Sequence, residues 1–150
     1  MDEYDIRILR ILKQDGRISV QTLSDQVGLS SSPVARRLAR LEQSGVVSAY
    51  SALIDEARLG FSVSVFVSVK LDQQVDDALT EFESAIHKMD EVVDCWLMTG
   101  NRDYLMRVVT RDMAEFEQFL VGKLTKLAPV AGIESSIPLR CVKSNGARTP

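Results

Sequence analysis

The spacing of apolar residues changes near residue 60 of this 150-residue chain. Before that point apolar side chains recur every three or four positions, as in Val34, Leu38 and Leu41, which is the period of a helix with one buried face. From Val63 to Leu71 apolar residues alternate with others, which is the period of a half-buried strand. We therefore expect a helical segment over residues 1–50, a connecting strand or linker over residues 51–61, and a mixed segment over residues 62–150.

The first fifty residues predict three short helices separated by capping residues. Asp2 and Ser19 are suitable N-caps, because their side chains can accept hydrogen bonds from the unpaired amides of a first turn. Gly16 is expected to end the first helix in a left-handed conformation. Gly28 then ends the second helix and Ser30 can cap the third. Two short helices joined by a tight turn, after a leading helix, indicate a helix-turn-helix with a winged-helix-like architecture.

The third predicted helix carries a row of basic and hydroxyl side chains. Ser32, Arg36 and Arg40 recur every four residues and so share one exposed face, with Arg37 beside them. Arginine can donate two parallel hydrogen bonds to guanine, and serine or arginine can bind phosphate. The same arginines could simply solvate an amphipathic helix, but the order of caps, helices and turn favours DNA binding. The candidate DNA-binding residues are Ser31, Ser32, Pro33, Arg36, Arg37 and Arg40.

The remaining residues predict the order β-α-β-β-α-β. Two helices, with apolar faces from Val75 to Met89 and from Met113 to Leu127, alternate with strands expected over residues 92–99, 104–109 and 133–141. This order is that of a ferredoxin-like fold, an antiparallel sheet with both helices on one face. The fold class is therefore α+β, with a helix-turn-helix domain followed by a ferredoxin-like domain.

The uncovered face of such a sheet predicts self-association. Two helices cover one face only, so the other would present Phe66, Trp96 and Met98 to water. A second copy of the chain is the simplest partner, and two-fold symmetry is the commonest arrangement. Because a dimer can place two helices on two DNA half-sites, we expect a homodimer and a palindromic operator.

Several other classes of protein are disfavoured by the sequence. The net charge of −3 argues against a non-specific nucleic-acid coat, and no P-loop, GxGxxG or GxSxG motif indicates an enzyme. His87 stands alone, and we expect Cys95 and Cys141 to be small buried residues, which leaves no metal, cofactor or redox site. The start Met1-Asp2-Glu3 and the absence of a long uncharged run favour the cytoplasm over a membrane or secretion.

Two segments of the chain contain motifs of a known family. One runs through Asp15-Gly16-Arg17, Val27-Gly28-Leu29-Ser30 and Arg37-Leu38, and the other is Thr99-Gly100-Asn101-Arg102-Asp103-Tyr104, which is similar to a Gly-Asp-x-Asp-Tyr/Phe turn. On these motifs the sequence resembles the Lrp/AsnC family of bacterial and archaeal transcription factors over essentially its whole length. The resemblance implies a regulator that binds a small effector, commonly an amino acid, and whose dimers assemble into tetramers or octamers.

The resemblance also implies where such an effector binds. Carried over by position, the candidates are Gly100, Asn101, Asp103, Tyr104, Ser135 and Ser136. Asp103 would pair with the ammonium group of an amino acid, while amides around Gly100 and a serine hydroxyl would bind its carboxylate. The same turn suits an ordinary hairpin loop, and that interpretation stays open. A second function also stays open, an amino-acid sensor that acts through protein partners without sequence-specific DNA binding.

Overall fold

The chain forms two units, each with its own apolar core. The structure is a computed structural model that describes residues 1–73 and 75–143. The N-terminal unit is built from Met1–Ile54 and the C-terminal unit from Asp55–Cys141. No helix among the described residues is both long enough and apolar enough to cross a membrane.

Three helices make up the N-terminal unit: α1 (Glu3–Gln14), α2 (Val20–Val27) and α3 (Ser31–Gln43). The carboxylate of Asp2 accepts from the amide of Asp5 at 3.1 Å, and that of Asp5 accepts from the amide of Asp2 at 3.0 Å, which forms a reciprocal capping box. Ser19 caps α2 through the amide of Thr22, as predicted. The core consists of the buried side chains of Ile8, Leu23, Val27, Val34 and Leu41.

Two details of the predicted helix ends differ from the structure. The φ angle of Gly16 is not positive, so this residue does not end α1 in a left-handed conformation. It is instead a point of close packing, because a Cβ there would lie 3.3 Å from the Tyr50 ring. Ser30 is the N-cap of α3 but its side chain makes no capping hydrogen bond. Gly28, with a φ of 79°, does end α2 in the left-handed region.

The C-terminal unit has the predicted order of strands and helices. Its elements are β1 (Val63–Leu71), α4 (Asp76–Ile86), β2 (Val92–Leu97), β3 (Tyr104–Thr110), α5 (Met113–Gly122) and β4 (Val130–Ser136). The strands form one antiparallel sheet in the order β2-β3-β1-β4, which confirms the ferredoxin-like fold. Val65, Val67 and Val69 of β1 are buried and pack with Phe82 of α4 and Phe116 of α5 in the core.

The last strand lies earlier in the chain than predicted. We expected it over residues 133–141, but β4 ends at Ser136, where its pairing with Phe66 of β1 also ends. Pro138 explains why the strand does not continue, because proline has no amide to donate to a neighbouring strand. The alternation of apolar residues beyond that point is therefore not part of the sheet.

Both cysteines are exposed, so the prediction that they are buried is wrong. Cys141 follows the end of β4, and Cys95 lies on β2, an edge strand with a neighbour on one side only. Desolvation of its sulfur and the negative charge of Glu83 raise the pKa of the Cys95 thiol to about 11. The Cys95 thiol is therefore protonated at neutral pH and is a weak nucleophile.

The face of the sheet opposite α4 and α5 is only partly covered by its own side chains. Trp96 of β2 lies opposite Leu105 of β3, and Phe66 of β1 lies opposite Arg107. Trp96 is 46% exposed, Met98 is also exposed, and Phe66 and Leu105 are half-buried. We call Phe66, Trp96 and Leu105 the open sheet face; the prediction that large apolar groups lie there is confirmed.

Candidate DNA-binding helix and effector site

Helix α3 presents a row of small and polar side chains to solvent. Ser32, Ala35, Arg36 and Gln43 are exposed, whereas Val34 on the opposite side is buried in the core. We call these four exposed residues the outer face of α3. An α-helix fits the DNA major groove, and the short side chain of Ala35 permits close approach of a duplex. Ala35 and Gln43 are not among the candidates predicted from the sequence, although helical periodicity places them beside Arg36.

The first turn of α3 is fastened to α2. The hydroxyl of Ser31 donates to the side-chain oxygen of Gln21 at 2.9 Å and lies 3.1 Å from the hydroxyl of Ser24. Ser31 and Pro33 are half-buried, while Ser32 between them is exposed. Of the three N-terminal candidates, Ser32 therefore has the side chain best placed to reach DNA, and Ser31 positions the helix.

The three arginines of α3 have different surroundings. Arg36 is exposed and makes no ion pair with any residue in the described ranges 1–73 and 75–143. The guanidinium of Arg37 instead donates to the carboxylates of Asp2 and Asp5, both at 2.8 Å. Arg40 donates to the other oxygen of Asp5 at 2.7 Å. The structure therefore separates Arg36 from its two neighbours, which the spacing in α3 alone could not do.

The carboxylates of this cluster are ionised at neutral pH. Burial of Asp5 opposes its charge, but hydrogen bonds from Arg37 and from the Asp2 amide, with the charge of Arg40, hold the pKa of Asp5 below its ordinary value. The amide of Asp5 and the guanidinium of Arg37 likewise lower the pKa of Asp2. Hydrogen bonds to the two carboxylates raise the pKa of Arg37 above its ordinary value. The cluster thus pairs two carboxylates with two guanidinium groups.

The β2–β3 turn contains most of the candidate effector residues, but not all of them point outward. Gly100 has a φ of 111°, which favours glycine, and Asn101 is exposed. Asp103 is only 2% exposed, and its carboxylate accepts from the amide of Leu71 at 2.7 Å. Its own amide donates to the carbonyl of Val69 at 2.8 Å. Asp103 therefore fastens the turn to β1, which supports the hairpin interpretation of this residue.

Tyr104 is also buried. Its hydroxyl donates to a carboxylate oxygen of Glu83 at 2.7 Å, and its ring lies 4.5 Å from that of Phe82 between ring centres. Burial and the carboxylate of Glu83 raise the pKa of the Tyr104 hydroxyl above its ordinary value. The side chain of Tyr104 therefore belongs to the contact between β3 and α4.

The two serines of β4 lie further along the sheet than the turn. Ser135 pairs with Val67 and Ser136 with Phe66, whereas the turn is bound at Val69. The residue of β4 that meets the turn is Glu134, whose carboxylate lies 2.9 Å from the guanidinium of Arg102. Arg102 occupies the variable position of the motif, and nothing in the motif points to Glu134.

A small recess lies beside the turn. It has a volume of about 230 Å³ and is lined by Ser68, Met98, Thr99, Asn101, Arg102, Tyr104 and Leu105. We call it the turn recess. The ammonium group of Lys70 donates to the backbone carbonyl of Asn101 at 3.4 Å, so a second cation lies at the same turn.

A larger cavity of about 540 Å³ lies between α4 and β2. Its charged lining is mainly acidic, with Glu83, Asp90 and Asp94 beside a single histidine, His87, and no lysine or arginine among the described residues lines it. A free amino acid presents a carboxylate, which these acidic groups would repel. The turn recess is therefore the better candidate for an amino-acid effector, although its volume is smaller.

Comparison with known proteins decides the family. Residues 64–148 match the family model described as the Lrp/AsnC ligand binding domain, and residues 1–48 match a winged helix-turn-helix DNA-binding model. The chain belongs to the Lrp/AsnC family. This Lrp/AsnC protein is therefore a DNA-binding transcriptional regulator with a ligand-binding domain, and not an enzyme.

Relatives and solved structures match this Lrp/AsnC chain over nearly its full length. The Bkd operon transcriptional regulator of Pseudomonas aeruginosa is 44% identical over 147 residues, which cover 98% of this chain and 96% of that protein. The leucine-responsive regulatory protein of Escherichia coli is 34% identical over 145 residues, 97% of this chain and 88% of that protein. A crystal structure of a Neisseria meningitidis transcriptional regulator in complex with L-Met has a TM-score of 0.91 at 34% identity, and covers 96% of this chain and 93% of that one.

Proposed function

We propose that this regulator reads duplex DNA with the outer face of α3 and responds to a free amino acid bound in the turn recess. The observation that carries the DNA-binding part is the exposed guanidinium of Arg36 on that face, which has no ion-pair partner in the part of the chain that the structure describes. Arg36 retains its full set of donors for a guanine edge or a phosphate. Fluorescence anisotropy with duplexes from the protein's own upstream region tests the proposal; no preference for any of them would favour the alternative of a sensor acting through protein partners.

The chemistry of the turn recess suits a zwitterion. Arg102, which lines the recess, supplies positive charge for a carboxylate. Lys70 and Glu134 do not line it but bond to Asn101 and Arg102, so they add a positive and a negative charge next to it. Met98 and Leu105 offer apolar contact for a side chain. A volume of about 230 Å³ is below the roughly 300–1,000 Å³ of most ligand pockets. We therefore propose that a second copy of the chain supplies a further wall. The relative from Neisseria meningitidis crystallised with L-Met supports an amino acid as the ligand class.

Replacing Arg102 with alanine is expected to abolish the stabilisation that amino acids give this protein, because the carboxylate of the effector loses its partner. In wild type, an effector at 100 times its Kd adds about 2.7 kcal/mol to the free energy of unfolding. Thermal-shift measurements against the common amino acids provide the readout. The control is Arg58→Ala, since Arg58 is exposed and paired with Asp55 away from the turn. An undiminished shift in the Arg102 variant would remove the turn recess from the proposal.

We propose that the open sheet face forms a homodimer, and that dimers assemble further into tetramers or octamers. A solvent-exposed Trp96 beside Leu105 and Phe66 is a surface that a second copy can cover. A two-fold dimer presents two copies of α3, so its operator would be palindromic. Footprinting should then show two protected half-sites separated by one helical turn, about 10 bp, or a multiple of it.

Changing Trp96 to lysine is expected to weaken this dimer at least about tenfold, because a charge would have to be buried at the centre of the interface. The fold of the protomer should survive, since Trp96 is 46% exposed within it. Sedimentation over a range of concentrations measures the association. The control is Val121→Lys, an exposed apolar position on α5 at the other side of the sheet. Equal association of the two variants would exclude the open sheet face as the dimer interface.

A further inference from the structure

The start of α1 is an acidic surface that meets one side of α3. Asp5 is 1% exposed, yet its two carboxylate oxygens accept from Arg37 at 2.8 Å and from Arg40 at 2.7 Å. Asp2, which is more exposed, accepts from Arg37 as well. Both acids also cap α1 through each other's amides, so their side chains are held in place from two directions. This arrangement is a fixed contact between two helices rather than a chance pairing of mobile surface groups.

We infer that Asp5, aided by Asp2, withholds the charge of Arg37 and Arg40 from the DNA backbone and thereby raises the sequence selectivity of α3. The inference rests on the proposed use of α3 in DNA binding. In this inference Asp5 is a positioning residue: it holds the side chains of Arg37 and Arg40 and does not itself contact DNA. Arg36, which makes no such pair among the described residues, is then the α3 arginine whose charge is uncompensated.

The physical basis is the difference between phosphate and base contacts. Each cation that neutralises a phosphate strengthens binding to any sequence, whereas contacts with base edges distinguish one sequence from another. A guanidinium that donates to an ionised carboxylate must give up that bond, or share its charge, before it can neutralise a phosphate. The side-chain exposure agrees with this: Arg37 is only 23% exposed and turns towards α1, while Arg40 is 61% exposed but still paired. Two acids therefore cancel two of the three arginine charges on α3.

The charge-removing substitution Asp5→Asn tests the inference in the full-length protein. Binding to an operator duplex and to a scrambled duplex of equal length is measured by anisotropy between about 50 and 200 mM NaCl. For the scrambled duplex, we expect the slope of log K against log salt to become steeper by about 0.9 for each arginine released. Affinity for the scrambled duplex should rise more than affinity for the operator, so the ratio of the two falls.

A matched control separates this effect from a general change in charge. Glu3→Gln removes one negative charge from the same turn of α1, but Glu3 is exposed and pairs with Arg7 at 2.6 Å, not with an arginine of α3. We expect this variant to keep the wild-type slope and the wild-type ratio of operator to scrambled affinity. A merely structural role of Asp5 would lower thermal stability without moving the salt slope away from that of Glu3→Gln.

A second variant covers the case in which Asp5→Asn does not fold. Asn is as good an N-cap as Asp, so Asp2→Asn keeps the cap of α1 while it removes a charge from Arg37. Its slope should steepen by up to about 0.9. If folded Asp5→Asn and Asp2→Asn both match Glu3→Gln, the inference is wrong, although α3 would still bind DNA. If the wild-type protein shows no binding to either duplex, the proposed function itself fails.

Discussion

Replacing Arg36 with alanine is expected to weaken operator binding by about 1–3 kcal/mol, or roughly 5- to 150-fold, the largest effect of any single change on the outer face of α3. Arg36 is exposed and has no partner to lose among the described residues, and alanine is a better helix former than arginine. The free energy of unfolding should therefore stay the same or rise slightly. The loss of affinity is then a loss of contact with DNA and not of the fold.

The pattern of the loss reveals what Arg36 touches. If it donates to a guanine edge, anisotropy should show a large loss on the operator and little change on a scrambled duplex. If it contacts phosphate, both duplexes should weaken alike and the salt slope should fall by about one. Arg58→Ala, which removes the same charge from the C-terminal unit, is the control. Equal affinities for the two alanine variants would contradict a role for the outer face of α3.

Replacing Asp103 with alanine is expected to lower the free energy of unfolding of the C-terminal unit by about 1–3 kcal/mol. The change removes the acceptor at 2.7 Å from the amide of Leu71 and leaves a buried N–H without that partner. In a unit of this size each kcal/mol lowers the melting temperature by about 4–8 °C. Calorimetry or near-ultraviolet circular dichroism measures the change.

Two further variants show whether the hydrogen bond is the cause. Asp103→Asn keeps an oxygen that can accept from Leu71, so a smaller loss is expected. Asp72→Ala removes an exposed carboxylate next to Leu71 and should leave the melting temperature nearly unchanged. If Asp103→Ala is as stable as Asp72→Ala, the buried carboxylate does not hold the turn. Any loss of effector response in Asp103→Ala should be judged against this change in stability, because a loosened turn would also disturb the recess.

Local patterns in the sequence were sufficient for most elements of the fold and for the exposed position of Arg36 on α3. The alternation of apolar residues in β1 correctly predicted that Val65 and Val67 lie in the core. The predicted N-caps Asp2 and Ser19 do precede α1 and α2. The four-residue spacing likewise placed Arg36 on an exposed side of α3. The different environment of Arg37 could not be predicted in this way, because its partners lie at the start of α1, more than thirty residues earlier.

The surroundings of the candidate effector turn were harder to predict, because they depend on which strands meet there. The motif located the turn correctly, but Asp103 is bound to an amide of β1 that lies 32 residues away in sequence. The choice of Ser135 and Ser136 assumed a strand over residues 133–141. The observed pairing of β4 with β1 places Glu134 opposite Ser68 and next to Arg102 instead. Strand register is a property of the pairing and is not visible in either strand alone.

Among the described residues the two apolar cores are built from different side chains, which bears on how the protein responds to heat. A chain built this way need not melt as one cooperative body. An effector bound in the proposed turn recess would directly stabilise only the C-terminal core, by mass action. The temperature at which operator affinity disappears would then be governed by five buried aliphatic side chains of the N-terminal unit, even in cells saturated with the effector.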